Sequence, residues 1–380
     1  MGNDLSSYIG LPEFPLWQEF STGVKLYSFE LELTARCNNN CRHCYICLPP
    51  DDWKARRREL TPGQIERIAA QAASLGALWC LITGGEPLLR EDFADIYLRL
   101  KRAGLLVSVF TNASLVTREH VELFRKYPPR DIEVTVYGVT RATYERVSGV
   151  PGSFAAFMRG LSLLLDNGIR TRLKAVVTRS NVKELPAIAR FCRERTVDYF
   201  RFDPLLHLRL DRDTARNRLI RQERLSPSEI AVVEAADGER SEHLRKKCDS
   251  LLRPGHAEKG CSHLFHCGTG NSGFTVGPDG ILRLCSTLCH PDCVYDLKKG
   301  KLAEALGGFA ASVRSMRSRR REFLAKCHNC QLVNLCHWCP ATAYLETGKL
   351  DSRVDYFCRT ARAREKILRK SRGRAGEKNG

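Results

Sequence analysis

The chain has 380 residues, 43% of them hydrophobic, 17 cysteines and a formal net charge of +18. That is enough apolar material for one large core and a smaller one, and unlike a membrane or disordered chain. No apolar run reaches the ~18 residues of a membrane span, and MGNDLSSYIGLPEFPLW lacks the basic start and apolar core of a signal peptide, so a cytoplasmic location is expected.

Read in order, the first two-thirds alternates strands and helices. A strand is predicted over 29–33, followed by a cysteine loop. A helix starts at Thr61, with Thr61 as N-cap, Pro62 at the first helical position, Gln64 three residues after the cap and Gly76 as the stop. Strands are predicted over 79–83, 105–110, 132–136, 172–178 and 199–203. Helices are predicted over 90–103, 117–127, 153–167 and 184–195. Six βα units in a row imply a parallel sheet with helices outside, open or curled into a partial barrel. In either form ligands gather at the carboxyl ends of the strands. There lie the cysteine loop, then Gly84-Gly85-Glu86-Pro87, then Thr111-Asn112.

Residues 207–260 are charged and partly helical and read as a bridge. From Cys261 to Cys358 there are ten cysteines in 98 residues, which points to a small domain held by metal. The expected organisation is a 1–28 N-terminal segment, a 29–206 barrel, a 207–260 bridge, a 261–360 cysteine-rich domain and a 361–380 basic tail, a helix end passing into disorder. An odd number of cysteines in a long chain without an export signal favours metal ligation over disulfides.

The loop after the first strand reads Cys37-Asn-Asn-Asn-Cys41-Arg-His-Cys44-Tyr45. Three thiolates hold three irons of a cubane and leave the fourth open, whereas electron-transfer clusters usually have four cysteines. A zinc site completed by His43 or Cys47 is the other reading of the loop alone. Together with Gly84-Gly85-Glu86-Pro87 after the next strand, the loop resembles the radical S-adenosylmethionine (SAM) superfamily. The resemblance covers roughly 29–203 and implies a partial (βα)6 TIM-like barrel. It also implies a 4Fe–4S cluster on Cys37, Cys41 and Cys44 that chelates SAM and cleaves it to a 5′-deoxyadenosyl radical. It assigns SAM contacts to Tyr45, Gly84, Gly85, Glu86 and Pro87, with the glycines admitting ligand to backbone and Glu86 accepting from the SAM ammonium. Thr111, Asn112 and Thr135 follow as weaker contacts, and Arg172 and Lys174 as candidates for the SAM carboxylate. Relatives tend to carry Asp where Tyr137 stands. Tyr137 and Asp203 point by strand register toward the barrel mouth, as substrate contacts or as structural hydrogen bonds. Cys47 is expected to be a bystander.

The later cysteines are spaced Cys261-x5-Cys267-x12-Gly280-x4-Cys285, then Cys327-x2-Cys330-x5-Cys336-x2-Cys339, then Cys358. CxxC pairs are also zinc-ribbon spacing. The pattern resembles the SPASM extension of radical SAM enzymes, except that two residues rather than the usual three separate Cys336 from Cys339. By that likeness one auxiliary cluster uses Cys261, Cys267, Cys285 and Cys339, and the other Cys327, Cys330, Cys336 and Cys358. Cys289 and Cys293 stand ready as replacement ligands, while Cys80, Cys192 and Cys248 read as buried or incidental thiols.

The likeness implies a peptide- or protein-modifying maturase, an electron donor of flavodoxin or ferredoxin type, and a peptide substrate whose leader is held by a separate protein or by the basic surface near Arg209 to Arg224. Radical chemistry on a small molecule such as a porphyrin is the alternative, and a non-catalytic metal scaffold is the alternative of another class. Positive charge concentrates in 359–380, with nine Lys/Arg against two Glu, and in 314–321, with five Arg. These runs lack interleaved aromatics, so nucleic acid is not expected as a partner, nor is a membrane.

Overall fold

A computed structural model describes residues 26–252 and 262–376. Cys261 therefore lies outside the described residues, as do 1–25 of the N-terminal segment and 377–380 of the tail. Strand β1 (Ser28–Glu32) is followed by helices α1 (Trp53–Arg58) and α2 (Pro62–Ser74), β2 (Trp79–Thr83), α3 (Phe93–Arg102), β3 (Leu106–Thr111), α4 (Arg118–Lys126) and β4 (Asp131–Thr135). Next come α5 (Arg141–Ser148), α6 (Ser153–Asp166), β5 (Thr171–Val176), α7 (Leu185–Arg193) and β6 (Arg201–Asp203). β1 to β6 are parallel neighbours in sequence order, as βα alternation dictates.

Local signals place these elements. The α2 capping box is formed: Thr61 Oγ1 accepts from Gln64 N at 3.3 Å, and Gln64 Oε1 accepts from Thr61 N at 2.8 Å. Helix α3 buries Phe93, Ile96, Tyr97 and Leu100, one stripe of a 3.6-residue repeat. It begins at Phe93 rather than 90 because Pro87–Leu89 makes a short 3-10 turn. Arg90 is then used as a strut, donating to the carbonyls of Leu33 at 3.2 Å and Leu60 at 2.9 Å.

The sheet does not stop at the barrel. β7 (Gly273–Val276) pairs in parallel with β1, and β8 (Ile281–Arg283) and β9 (Val294–Asp296) extend it antiparallel, giving the order β6-β5-β4-β3-β2-β1-β7-β8-β9. The C-terminal cysteine region thus shares the barrel's sheet. It caps what would otherwise be an unpaired edge at β1. Phe29 stacks on Phe274 at 5.3 Å between centroids, and buried Glu32 pairs with Arg283 at 2.5 Å.

The stretch read as a partly helical bridge carries, among its described residues, helices α8 (Thr214–Glu223), α9 (Pro227–Ala236), α10 (Gly238–Lys246) and α11 (Cys248–Leu252). Past α12 (Pro340–Thr347), α13 (Asp355–Gly376) is one continuous helix. This corrects the expected disordered tail through residue 376. Ala361, Arg364 and Leu368 are buried there, and Arg364 makes two hydrogen bonds, at 2.7 and 2.8 Å, to buried Glu234 of α9. A long basic helix reads as a tail in sequence, because the acid that fixes it lies 130 residues away. Among the described residues no helix is long and apolar enough to cross a membrane.

Candidate functional site

The cysteine loop is shaped by backbone before any metal. Cys37 N donates to Leu48 O at 3.0 Å and Leu48 N to Ala35 O at 2.9 Å, so the loop closes on itself through a parallel bridge between Arg36 and Leu48. Arg36 is buried and paired with Glu59 at 2.8 Å. On the outside, Arg209 donates to Cys47 O at 3.0 Å and Leu210 N to Tyr45 O at 3.1 Å.

The end of β2 is pressed against this loop. Gly85 N donates to Thr34 O at 2.7 Å and Glu86 N to Arg36 O at 2.9 Å. A Cβ on Gly84, whose φ is +127°, would stand 2.3 Å from Thr34 O, and one on Gly85 would stand 2.2 Å from Arg36 O. Both glycines are therefore required by the approach of two backbone segments. The same two glycines also line the cavity described below.

Glu86 is placed behind the site. It is fully buried; Oε1 accepts from Thr111 Oγ1 at 2.8 Å and Leu88 N at 3.1 Å, and Oε2 accepts from Asn112 N at 2.8 Å. Burial raises its carboxyl to about 7 against these donors. Its carboxylate ties the end of β2 to the end of β3 and, with Pro87, does not line the cavity in front.

That cavity, about 230 Å³, opens at the carboxyl ends of the strands. It is lined by Cys37, Cys41, Cys44 and Tyr45 of the loop, Gly84 and Gly85 after β2, Thr111 at the end of β3 with Asn112 just after it, and Thr135 at the end of β4 with Tyr137 two residues on. Expected residues from four separate strand ends are thus brought together. Asp203 lines it too. Lys174 lines it with its ammonium 2.5 Å from Glu133 and stacked over Phe110 at 3.7 Å, while Arg172 turns to Asp131 and Asp198 and does not reach it.

The sulfurs sit among hydrogen-bond donors. Asn39 N reaches Cys37 Sγ at 3.4 Å, Asn112 Nδ2 reaches it at 3.8 Å, and Cys47 N reaches Cys44 Sγ at 3.3 Å. Burial pushes the Cys41 thiol far up, opposed by a hydrogen bond with Tyr137. The contact with Cys47, then burial, raises Cys44. Burial lowers His43 to about 4, so it is neutral. Neutral thiols in a dry site become good ligands once a cationic centre takes up their charge.

A 4Fe–4S group fits these residues on one further observation. Asn39 is buried, lines the same cavity, and neither polar atom of its side chain has a partner. Such an amide costs stability unless a bound group engages it. A lone Zn²⁺ needs donors converging at about 2.0–2.3 Å, and among the described residues no three His, Cys, Asp or Glu converge on one ion.

Asn39 was not singled out in the sequence, and Cys47 only as a fourth ligand in the zinc alternative. Cys47 is no distant bystander: its buried thiol donates to Asn39 O at 3.1 Å, its backbone N reaches Cys44 Sγ at 3.3 Å, and it lines the same cavity. His207 also lines the cavity, facing Asp203. Three consecutive asparagines in a ligand loop were a usable signal, since Asn38 bonds Ser114 and Asn112 at 2.8 and 2.9 Å.

The later cysteines gather in two neighbourhoods. Cys327, Cys330, Cys336 and Cys358 lie close enough that each other's charge adds to burial in raising Cys327 and Cys336 to about 11. Cys267 and Cys285 line one cavity of about 310 Å³, and Cys339, the N-cap of α12, lies near Cys285. Cys293 is a core thiol 3.8 Å from the Met316 sulfur, and Cys289 donates to Leu210 O at 3.5 Å.

Residues 31–192 match the family model of the Radical SAM superfamily. The chain is 27% identical to Fe-coproporphyrin III synthase of Methanosarcina barkeri, over 46% of this chain and 43% of that protein. It is 27% identical to the antilisterial bacteriocin subtilosin biosynthesis protein AlbA of Bacillus subtilis, over 67% of this chain and 54% of that one. It thus spans about half the length of the curated relatives it matches. Streptococcus suis SuiB bound to S-adenosylmethionine superposes with a TM-score of 0.64 at 14% identity, covering 94% of this chain and 83% of that one. SuiB bound to precursor peptide SuiA gives 0.65 at 15%, covering 88% and 76%; at such identities the likeness is one of fold. The chain carries a radical SAM domain over residues 31–192, the domain of iron–sulfur enzymes whose characteristic cofactors are a 4Fe–4S cluster and SAM.

Proposed function

We propose that this chain cleaves SAM reductively at the barrel mouth and directs the resulting radical at a ribosomally made peptide or protein undergoing maturation. The observation that carries the reading is the cavity of about 230 Å³ where three cysteines meet the polar ends of β2, β3 and β4. When bound, the cluster supplies the electron that breaks a carbon–sulfur bond of SAM, giving methionine and the 5′-deoxyadenosyl radical. Cys37, Cys41 and Cys44 would hold it, leaving one iron for SAM. Thr111, Asn112 and Thr135 present polar groups to the same space, and Glu86 fixes the first two in place. Tyr137 steadies Cys41. Phe110, Leu205 and Leu206 complete the wall and keep water from the radical.

The peptide reading is supported by two likenesses: AlbA, a bacteriocin biosynthesis protein, and SuiB, a structure that holds a precursor peptide. It brings with it two auxiliary clusters, on Cys261, Cys267, Cys285 and Cys339 and on Cys327, Cys330, Cys336 and Cys358, and a cytoplasmic flavodoxin or ferredoxin as electron donor. A leader peptide would be held by a separate protein or by the basic surface near Arg209 to Arg224. A second reading, chemistry on a porphyrin, is favoured by the likeness to Fe-coproporphyrin III synthase.

The test is anaerobic reconstitution with iron and sulfide, then SAM and a reductant. The account expects 5′-deoxyadenosine from the wild type and none above background from the Cys37/Cys41/Cys44→Ala triple variant, which keeps about eight iron atoms in two cubanes. A fully loaded wild type that makes no 5′-deoxyadenosine contradicts it. Deuterium carried into 5′-deoxyadenosine from a labelled precursor peptide, but not from a labelled porphyrin, separates the two substrate readings.

A further inference from the structure

The parallel strands have two unlike ends. Their carboxyl ends carry the polar cavity, and their amino ends hold apolar side chains in solvent. Eight large apolar side chains are exposed among the described residues, and six of them sit where the chain turns into a strand. These are Leu75 and Leu78 before β2, Leu106 opening β3, Tyr127 before β4, and Val197 and Tyr199 before β6. Register keeps these turns at one end of the sheet, since Trp79 is paired with Ser28 and Leu106, and Ser108 with Asp131. Apolar residues exposed singly need no explanation, but their concentration on one face marks a contact surface. The face is also basic. Lys101 donates to Pro128 O at 3.0 Å, Lys126 lies over the Tyr127 ring at 5.5 Å, and Arg130 lies over the Trp79 ring at 5.3 Å.

The chain enters the barrel at this same face. Tyr27 O, at the foot of β1, accepts from Leu78 N at 2.9 Å and from Trp79 N at 3.1 Å. Just upstream, residues 11–20 read Leu11-Pro-Glu13-Phe14-Pro-Leu16-Trp17-Gln-Glu19-Phe20: five large apolar side chains, two acids and no base. The six residues from Phe20 to Leu26 can span about 20 Å. Three strand spacings of about 4.8 Å separate β1 from β4, so the tether is long enough to reach Tyr127. We propose that residues 11–20 of this chain cover the amino-end face of the barrel. Their apolar side chains lie on the exposed ones, and Glu13 and Glu19 sit among Lys101, Lys126 and Arg130. A covalent tether presents the segment at an effective concentration in the millimolar range, which favours it over a free partner. The contact closes the end of the barrel opposite the candidate site, and the inference does not rest on the function proposed above.

The experiment uses the purified full-length chain with the photo-crosslinker p-benzoylphenylalanine in place of Leu106 or, in a second preparation, of Tyr127. A control preparation carries it in place of Val232, an exposed apolar residue of α9. After irradiation, the linked peptides are mapped by mass spectrometry and sorted into links within one chain and links between chains. The expected result is a link within one chain from position 106 or 127 to residues 11–20, and none from position 232. Phe14→Ser with Trp17→Ser should lower the yield of that link severalfold. Links that run mainly to a second copy give the face to a dimer contact and overturn the proposal. So do the lack of any link to 11–20 from both positions, an equal yield from position 232, or a yield unchanged by the double substitution.

Discussion

The protein carries its cysteines in two regions built on opposite principles. The loop from Cys37 to Cys47 is eleven residues of chain pinned by its own backbone bridge, by the end of β2 and by Arg209. Its sulfurs are placed by strands whose core is apolar: Val107 and Val109 in β3, and Ile132 and Val134 in β4, are all buried. The region from Cys267 to Cys358 has three strands of four, three and three residues, short helical turns, and mostly half-exposed thiols. The first region would keep its shape without a metal; on the reading proposed above, the second relies on one. A catalytic centre needs its ligands set in advance so that one corner stays open, whereas a fully ligated cluster can organise the chain around itself.

Removing iron should expose that contrast most strongly. In the chelated protein, amide exchange should rise by orders of magnitude over 327–358 while β2, β3 and β4 stay protected. Equal loss of protection in both regions would break the comparison.

The next effect belongs to the packing of the loop on β2. Gly85→Ala places a Cβ 2.2 Å from Arg36 O and 2.7 Å from its carbonyl carbon, and should cost about 3 kcal/mol of barrel stability in denaturant unfolding. Gly104→Ala, with open space around its Cβ but φ of +79°, should cost only about 1 kcal/mol. Similar losses for the two would show that the close approach does not matter.

Glu86 sharpens the comparison through pH. Its carboxyl rises from 4.5 to about 7 on folding because burial disfavours the charge. The folded state then binds the proton more tightly than the unfolded one. The contribution is fully present below the unfolded value and is lost as pH climbs through the folded value. Stability of the cluster-free barrel should fall by about 3 kcal/mol from pH 4.5 to 7, and Glu86→Gln should flatten that part of the profile. An unchanged slope would contradict the role of burial.

The smallest effect concerns Asn39, whose buried amide has no partner. Asn39→Leu should stabilise the cluster-free chain by about 1–2 kcal/mol and weaken SAM binding to the loaded one. Destabilisation of both states would mean that the amide serves the fold rather than the ligand.

Much of the barrel is legible in sequence because β2 to β5 are apolar runs between helix caps and glycines. β2 falls at 79–83 in both readings, and β3, β4 and β5 shift by only one or two residues. Helix α1 is not legible: of its six residues only Ala55 is buried, and its one signal is the Asp52 cap at 2.9 Å. The ligand loop and its glycines are likewise visible as a pattern, but the reason for the glycines is not. It lies in a contact between residues 34–36 and 84–85, fifty positions apart. Glu86 illustrates the same limit, since its partners Thr111 and Asn112 are 25 and 26 residues away. The addition of β7 to β1 could not be read either, because a four-residue strand carries too little periodicity to declare its neighbour.

The central claim is that three sulfurs from one short loop leave an iron open for SAM. Electron–nuclear double resonance of the anaerobically reduced protein, with SAM labelled at its amino nitrogen and carboxylate oxygen, tests it most directly. The account predicts hyperfine coupling of both labels to a cluster that is lost in the Cys37/Cys41/Cys44→Ala variant. A loaded and reduced wild type that shows no coupling to either label would contradict it.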